Sequence, residues 1–100
     1  MTPRNRTTAH PGEILHEKFL SPLGMTANAL AIALRVPANR IGAILRGERA
    51  ITADTALRLA RYFDTSAEFW LNLQTMHDLT KAAKELRPQI ERDVRPARRS

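Results

Sequence analysis

Apolar residues recur every three or four positions along most of the chain, which is the spacing of one face of an α-helix. The first such stretch, residues 13–20, predicts a short amphipathic helix that the Ser21-Pro22-Leu23-Gly24 segment ends. Thr26 then offers a hydroxyl to cap a second helix, which ends at Val36-Pro37 because a residue before proline avoids helical geometry. The inward stripe of this second helix is expected to contain Leu30, Ala31 and Leu34.

A third helix is predicted from about Pro37 to Arg46, with Gly47 as the left-handed residue after its end. Two or three residues separate it from the second helix. Two helices joined so closely are typical of a helix-turn-helix unit.

Two further helices complete the pattern. Thr52 is expected to cap the fourth helix, which runs through Tyr62. Thr65 followed by Glu68 matches a capping box that opens a longer fifth helix, and Pro88 is expected to end it. Since no strand pattern and no internal repeat is found in the sequence, the predicted fold class is all-α, with five helices.

The third helix carries two different faces. Its inward stripe is apolar, whereas the opposite stripe holds small residues framed by polar ones: Asn39, Gly42, Ala43 and Arg46. A face that meets only water usually carries Glu, Lys and Gln, and a glycine there costs about 1 kcal/mol of helix propensity relative to alanine. Small side chains are favoured where another surface comes close, and a DNA major groove, about 12 Å wide, admits one helix.

The residue types on this face suit contacts to DNA. An asparagine bonds adenine in two places, an arginine bonds guanine in two places, and an alanine touches the thymine methyl group. Arg40 and Arg46 are the candidates for contacts to bases, Arg49 for a contact to phosphate, and Thr26 and Thr52 for phosphate contacts at helix starts. The full predicted DNA-binding set is Thr26, Ala38, Asn39, Arg40, Gly42, Ala43, Arg46, Arg49 and Thr52. The alternative is an ordinary capped helix whose arginines face solvent.

The distribution of charge agrees with a polyanionic partner. The net charge is +6, and the central residues 24–64 hold six arginines against three acidic residues. Residues 1–12 hold two arginines and no acidic residue, and residues 87–100 hold five arginines against two. Such a pattern favours nucleic acid, although a merely solubilising surface has a similar composition.

Composition limits the class of protein. A chain of 100 residues with 43% hydrophobic residues forms one ordinary domain, and with no cysteine it has neither disulfides nor thiolate metal sites. The longest apolar run is far below the ~18 residues that cross a bilayer, so we expect a cytoplasmic protein with no membrane partner and no cofactor. The predicted organisation is a flexible N-terminal arm (1–11), a helix-turn-helix DNA-binding domain (12–86) and a basic, disordered tail (87–100).

The sequence does not favour an enzyme. His16-Glu17 begins like the zinc-protease pattern HExxH, but Leu20 stands where the second histidine is needed. The three histidines are therefore interpreted as surface or capping groups.

Five sequence stretches together resemble a known family. They are HPGEIL at 10–15, PLGMT at 22–26, VP at 36–37, RGERAITADTALRLARYF at 46–63 and TSAEFWLNLQ at 65–74. These stretches are similar to the HigA-type antitoxins, a branch of the lambda-repressor-like (Xre) helix-turn-helix family. The resemblance implies a lambda-repressor-like fold and a protein that binds its own operator and neutralises a HigB-type toxin, a RelE-like ribonuclease.

The chain departs from that family's pattern in two places. Ala27 occupies the position after the capping residue of the second helix, where the family often has glutamine. Gly42 and Ala43 stand where family members often carry bulkier polar residues.

The fifth helix has two possible roles. Its apolar residues either close the core over the first four helices or form a dimer interface, and the two roles are compatible. A symmetric dimer is expected, because two copies spaced about 34 Å apart contact successive turns of the duplex. The predicted dimer interface contains Trp70, Leu73, Met76 and Leu79.

Two alternative functions remain open from the sequence. One is a stand-alone, phage-repressor-like transcriptional regulator without a toxin partner. The other is a protein-binding module that has lost its DNA contacts, which Ala27 and Gly42 make conceivable.

Overall fold

Five helices form the fold in the computed structural model, which describes residues 9–98. The first, α1, consists of three consecutive segments, Pro11–Ile14, the π-helical Leu15–Leu20 and Ser21–Leu23. The others are α2 (Ala27–Leu34), α3 (Ala38–Leu45), α4 (Ala53–Phe63) and α5 (Ala67–Asp93). No strand occurs between residues 9 and 98, so the predicted all-α fold with five helices is confirmed. Residues 1–8 of the predicted arm and residues 99–100 of the predicted tail lie outside the described residues.

The first helix is longer at both ends than predicted. Its start is capped by His10, whose ring Nδ1 accepts a hydrogen bond of 2.9 Å from the backbone N–H of Gly12. The Ser21-Pro22-Leu23-Gly24 segment ends this helix, as predicted, but the helix continues through the first three of these residues. Pro22 lies in the first turn of the last segment, where its missing N–H removes little, and a π-helical turn precedes it. The helix ends at Gly24, which has a left-handed φ of 62°.

The core lies where all five helices meet, and Trp70 of α5 is fully buried within it. The ring of Phe19 in α1 packs on it, with its centroid 4.9 Å from that of Trp70 and 4.8 Å from that of Phe63. The predicted inward residues of α2 and α3 are buried, which confirms both stripes: Leu30, Ala31, Leu34, Ile41 and Ile44.

The loop between α3 and α4 is tied to α5 by a buried side chain. The backbone N–H of Ile51 donates to Oε1 of Gln74 at 2.8 Å, and Nε2 of Gln74 donates to Oδ1 of Asp78 at 2.8 Å. Both polar ends of a buried amide are thereby satisfied. The loop that carries Arg49 is held in one place as a result.

The start of α5 differs from the predicted capping box. Ser66 is the capping residue, because its Oγ accepts the N–H of Phe69 at 3.0 Å. Thr65, the predicted cap, instead accepts the indole N–H of Trp70 at 2.8 Å. Because the hydroxyl of Thr65 is hydrogen-bonded to Trp70, Ser66 is the residue that caps the helix.

The end of α5 also differs. The helix continues through Pro88 to Asp93, so the prediction that Pro88 ends it is wrong. Proline leaves the carbonyl of Lys84 without its helical donor. Every residue from 84 to 98 is exposed, so water is free to reach that carbonyl and no neighbouring helix opposes a local bend.

Candidate nucleic-acid interface

The turn between α2 and α3 is short and tightly bonded. Three residues separate the helices, as predicted, and Arg35 adopts a left-handed conformation with φ 63°. The N–H of Arg35 donates to the carbonyl of Ile32 at 3.2 Å, and the N–H of Val36 donates to that of Ala31 at 3.0 Å. Because Ala31 is small and buried, the two helices approach closely. The arrangement is a helix-turn-helix unit.

The polar stripe of α3 faces away from the core. Ile41 and Ile44 are fully buried on one side of the helix. Ala38, Asn39 and Arg46 are exposed, and Gly42 and Ala43 are half-buried. We name Asn39, Gly42, Ala43 and Arg46 the outward face of α3. The sequence prediction that these residues point away from the interior is confirmed for this face.

The outward face is shaped by Gly42 and Arg46 together. A Cβ atom at position 42 would lie 3.2 Å from Nη1 of Arg46, one helical turn later. The glycine therefore leaves room for the guanidinium group to lie back along α3. In this position Nε of Arg46 donates to Oε1 of Glu48 at 3.1 Å.

Arg40 lies on the flank of α3 that faces α4. Its Nη1 is 3.7 Å from Oδ2 of Asp54, and its side chain is 23% exposed. The other carboxylate oxygen of Asp54 accepts Nε of Arg58, and Nη1 of Arg58 donates to the carbonyl of Leu34 at 2.9 Å. The hydrogen bond from Arg58, assisted by the charges of both arginines, holds the pKa of Asp54 below its ordinary value.

The predicted phosphate contacts lie at three exposed positions. Oγ1 of Thr26 accepts the N–H of Ala29 at 3.0 Å, which confirms its capping role. Thr52 is the N-cap residue of α4, and its carbonyl accepts the N–H of Ala56 at 2.8 Å. Its hydroxyl makes no capping hydrogen bond, so the prediction that the hydroxyl caps this helix is wrong. Arg49 is exposed and forms no ion pair with any residue from 9 to 98.

The residues predicted for the dimer interface divide into two groups. Trp70 is 0% exposed, so its side chain belongs to the core and we remove it from the predicted interface. Leu73 is half-buried, whereas Met76 and Leu79 are 53% and 62% exposed. The exposed apolar stripe continues along α5 through Leu86 and Ile90.

Neither a metal-binding cluster nor a membrane-spanning helix occurs among residues 9–98. No group of three or more His, Asp or Glu side chains is placed to hold a metal ion within this range. No helix in the same range has the length and apolar character needed to span a membrane.

Comparison with known proteins places the chain in a family. Residues 15–70 match the family described as Helix-turn-helix. Virulence-associated protein I of Dichelobacter nodosus is 57% identical over 76 residues, which cover 76% of this chain and 70% of that protein. Antitoxin HigA-1 of Vibrio cholerae is 38% identical over 79 residues, covering 79% of this chain and 74% of that protein.

The structure is similar as well. A solved structure of Pseudomonas aeruginosa antitoxin HigA with the higBA promoter superposes with a TM-score of 0.87. The two sequences are 47% identical, and the match covers 90% of this chain and 98% of that one. This chain belongs to the HigA branch of the helix-turn-helix family. The resemblance inferred from the sequence is confirmed, and with it the lambda-repressor-like class of fold.

In this HigA-family chain, sequence reasoning missed the carboxylates beside the arginines. From the sequence alone, Glu48, Asp54 and Arg58 are recognisable only as charged residues and not as members of the site. The spacing of four residues between Asp54 and Arg58 on one helix signals an ion pair. No such spacing connects Arg40 with Asp54, because that pair joins two different helices.

Proposed function

We propose that this HigA-family chain is the antitoxin of a type II toxin-antitoxin module. It binds operator DNA as a dimer to repress its own operon, and it neutralises a HigB-type, RelE-like ribonuclease toxin. The proposal rests on the outward face of α3, which is presented on a helix-turn-helix unit in a chain similar to an antitoxin solved with its promoter. In this proposal the protein acts in the cytoplasm, by binding and not by catalysis.

The recognition helix of this proposal is α3, lying in the major groove with its outward face toward the bases. Asn39 is suited to adenine, Ala43 to a thymine methyl group, and Arg46 to guanine. Gly42 and Ala43 add little bulk, so the helix backbone is able to sit deep in the groove. The bases are then contacted by few residues, which makes a second copy necessary for specificity.

Phosphate contacts are expected on both sides of this helix. Arg49 is exposed on the loop held by Gln74, and it forms no ion pair within residues 9–98. Thr52 stands at the start of α4, where backbone N–H groups and the helix dipole favour an anion. Thr26 is exposed at the corresponding position of α2.

The dimer of this proposal forms through α5. The helix has 27 residues and is therefore about 40 Å long, and it carries exposed apolar side chains well beyond the core. Exposed apolar stripes of this kind mark association surfaces. Leu73, Met76 and Leu79 are the residues we assign to the interface, and Trp70 belongs to the core.

The test is co-expression of this chain with the small open reading frame next to its gene. We expect a ribonuclease to co-purify with the chain, and we expect the purified chain to shift its own promoter fragment in a gel. Promoter binding without any co-purifying ribonuclease identifies the stand-alone regulator instead. A chain that captures the ribonuclease but binds no promoter at low salt is the protein-binding module, and DNA reading by α3 is then refuted.

A further inference from the structure

Both arginines predicted to contact bases are already paired with a carboxylate. Nη1 of Arg40 is 3.7 Å from Oδ2 of Asp54, and Nε of Arg46 is 3.1 Å from Oε1 of Glu48. The Arg40–Asp54 pair lies on the flank of α3, near its N-terminal end, and the Arg46–Glu48 pair lies at its C-terminal end. In the free protein, each guanidinium therefore has a negative partner within the same chain.

Both carboxylates are held in place by their surroundings. Asp54 accepts Nε of Arg58, which is itself anchored on the carbonyl of Leu34, so Oδ2 of Asp54 is left directed at α3. The backbone of Glu48 is fixed because its N–H donates to the carbonyl of Ala43 at 2.9 Å. This bond completes the C-terminal turn of α3 and aims the Glu48 side chain back at Arg46.

We propose that Glu48 and Asp54 are specificity-determining residues, which hold Arg46 and Arg40 away from phosphate until operator bases or phosphates at the correct register replace them. The inference rests on the proposed operator binding. Non-specific affinity for DNA comes almost entirely from cations that neutralise phosphates. An arginine whose charge is already compensated by a carboxylate contributes less to this non-specific binding. A matched operator offers further contacts, and these offset the loss of the ion pair.

The pairs are weak enough to exchange. All four side chains are at least partly exposed, with Arg46 59% and Glu48 61% exposed, and Asp54 54% exposed. Exposed ion pairs change an equilibrium constant by about fivefold at most. Each carboxylate is therefore expected to suppress phosphate binding by a small factor without blocking operator binding.

The test compares Glu48→Gln, Asp54→Asn and the double variant with the wild-type chain. Two probes are used, the chain's own promoter fragment and a scrambled duplex of equal length. Each single substitution should raise affinity for the scrambled duplex about two- to fivefold and raise promoter affinity by less, so that the ratio of the two affinities falls. The slope of log affinity against log salt for the scrambled duplex should steepen by up to about 0.9 for each newly contacted phosphate.

The matched control is the double variant Glu17→Gln, Asp64→Asn. It removes the same two charges from exposed carboxylates that form no ion pair within residues 9–98. A second control introduces Asp54→Asn into an Arg40→Ala chain, where the substitution should no longer raise affinity for the scrambled duplex. Circular dichroism confirms that each variant remains helical.

Two outcomes overturn the inference while leaving the proposed function intact. One is that the control variant raises scrambled-duplex affinity as much as the Glu48, Asp54 double variant, since net charge is then the cause. The other is that Asp54→Asn raises affinity for the scrambled duplex equally in the wild-type chain and in the Arg40→Ala chain. A wild-type chain that binds neither duplex overturns the proposed function and this inference together.

Discussion

Gly12 packs so closely on Ile44 that a Cβ atom at position 12 would overlap the backbone carbonyl oxygen of Ile44. The start of α1 is thereby docked on the last turn of α3, the helix that carries the outward face. Gly12 is buried, so a side chain has no space into which to turn. The placement of the candidate interface depends on this contact between two backbones.

Replacing Gly12 by alanine should therefore destabilise the fold. Forcing a methyl group into a packed backbone contact typically costs about 1–3 kcal/mol. Gly42→Ala is the matched control, because the Cβ there meets only the movable end of Arg46 and alanine favours helix by up to about 1 kcal/mol. The midpoint of urea unfolding is measured for both variants. A Gly12→Ala midpoint at or above that of Gly42→Ala contradicts the close contact.

The two hydroxyls before α5 should have separable roles. Thr65→Val leaves the buried indole N–H of Trp70 without its acceptor, which typically costs about 1–3 kcal/mol. Ser66→Ala removes the helix cap, which typically costs about 1 kcal/mol. The free energy of unfolding measures each loss, and the near-ultraviolet signal of Trp70 should change only in Thr65→Val. An equal change in both spectra would show that the indole does not depend on Thr65.

These same residues show what the sequence can and cannot predict. Apolar spacing located all five helices, because burial of one face is what makes each helix stable. It could not choose between the adjacent hydroxyls of Thr65 and Ser66, since both are suitable caps. The choice is made by Trp70, whose indole needs a partner inside the core. That need is visible only in three dimensions.

The same limit applies to the candidate interface. The outward face of α3 was predictable because helical periodicity opposes it to Ile41 and Ile44. The partner of Arg40, on the flank of α3, was not predictable, because Asp54 approaches it from another helix. Pro88 also does not end α5, because a proline inside a helix either breaks it or bends it, and here the surrounding residues are exposed, so water is free to bond the carbonyl of Lys84.

Stability should fall in mild acid because of His10. Partial burial lowers the pKa of His10 below its ordinary value of 6.5, His77 lowers it further, and Asp78 and Glu13 partly oppose both effects. The unfolded chain binds a proton near pH 6.5, whereas the folded chain binds it only at lower pH. The contribution of neutral His10 to the free energy of unfolding is therefore complete above about pH 6.5. It is lost as the pH falls through that value towards the folded-state pKa.

The measurement for His10 is the urea midpoint between pH 8 and 5 for the wild-type chain and His10→Asn. Asparagine keeps an acceptor for the N–H of Gly12 but does not titrate. We expect the variant to lose part of the acid dependence. Identical dependence in the two chains would assign the effect to other groups.

Arg46 and Arg49 should affect DNA binding in different ways. Arg46→Ala is expected to cost about 1–3 kcal/mol on the promoter and to relax the preference at one base pair. Arg49→Ala should weaken promoter and scrambled duplex alike and reduce the salt slope by about 0.9. Gel shifts over a salt series with single-base operator variants distinguish them. If Arg46→Ala weakens both duplexes equally, the residue contacts phosphate and not a base.

Association through α5 should depend on Leu79 and not on apolar exposure in general. Leu79 is 62% exposed on α5, and Leu57 is 63% exposed on α4, so Leu57→Glu is a control of equal exposure. Placing a carboxylate in an apolar interface leaves it desolvated and unpaired, so Leu79→Glu should give a monomer in sedimentation equilibrium while Leu57→Glu stays dimeric. Promoter affinity should fall with the loss of the dimer, because one recognition helix then acts alone. A dimeric Leu79→Glu chain, or a monomeric Leu57→Glu chain, would move the interface away from this part of α5.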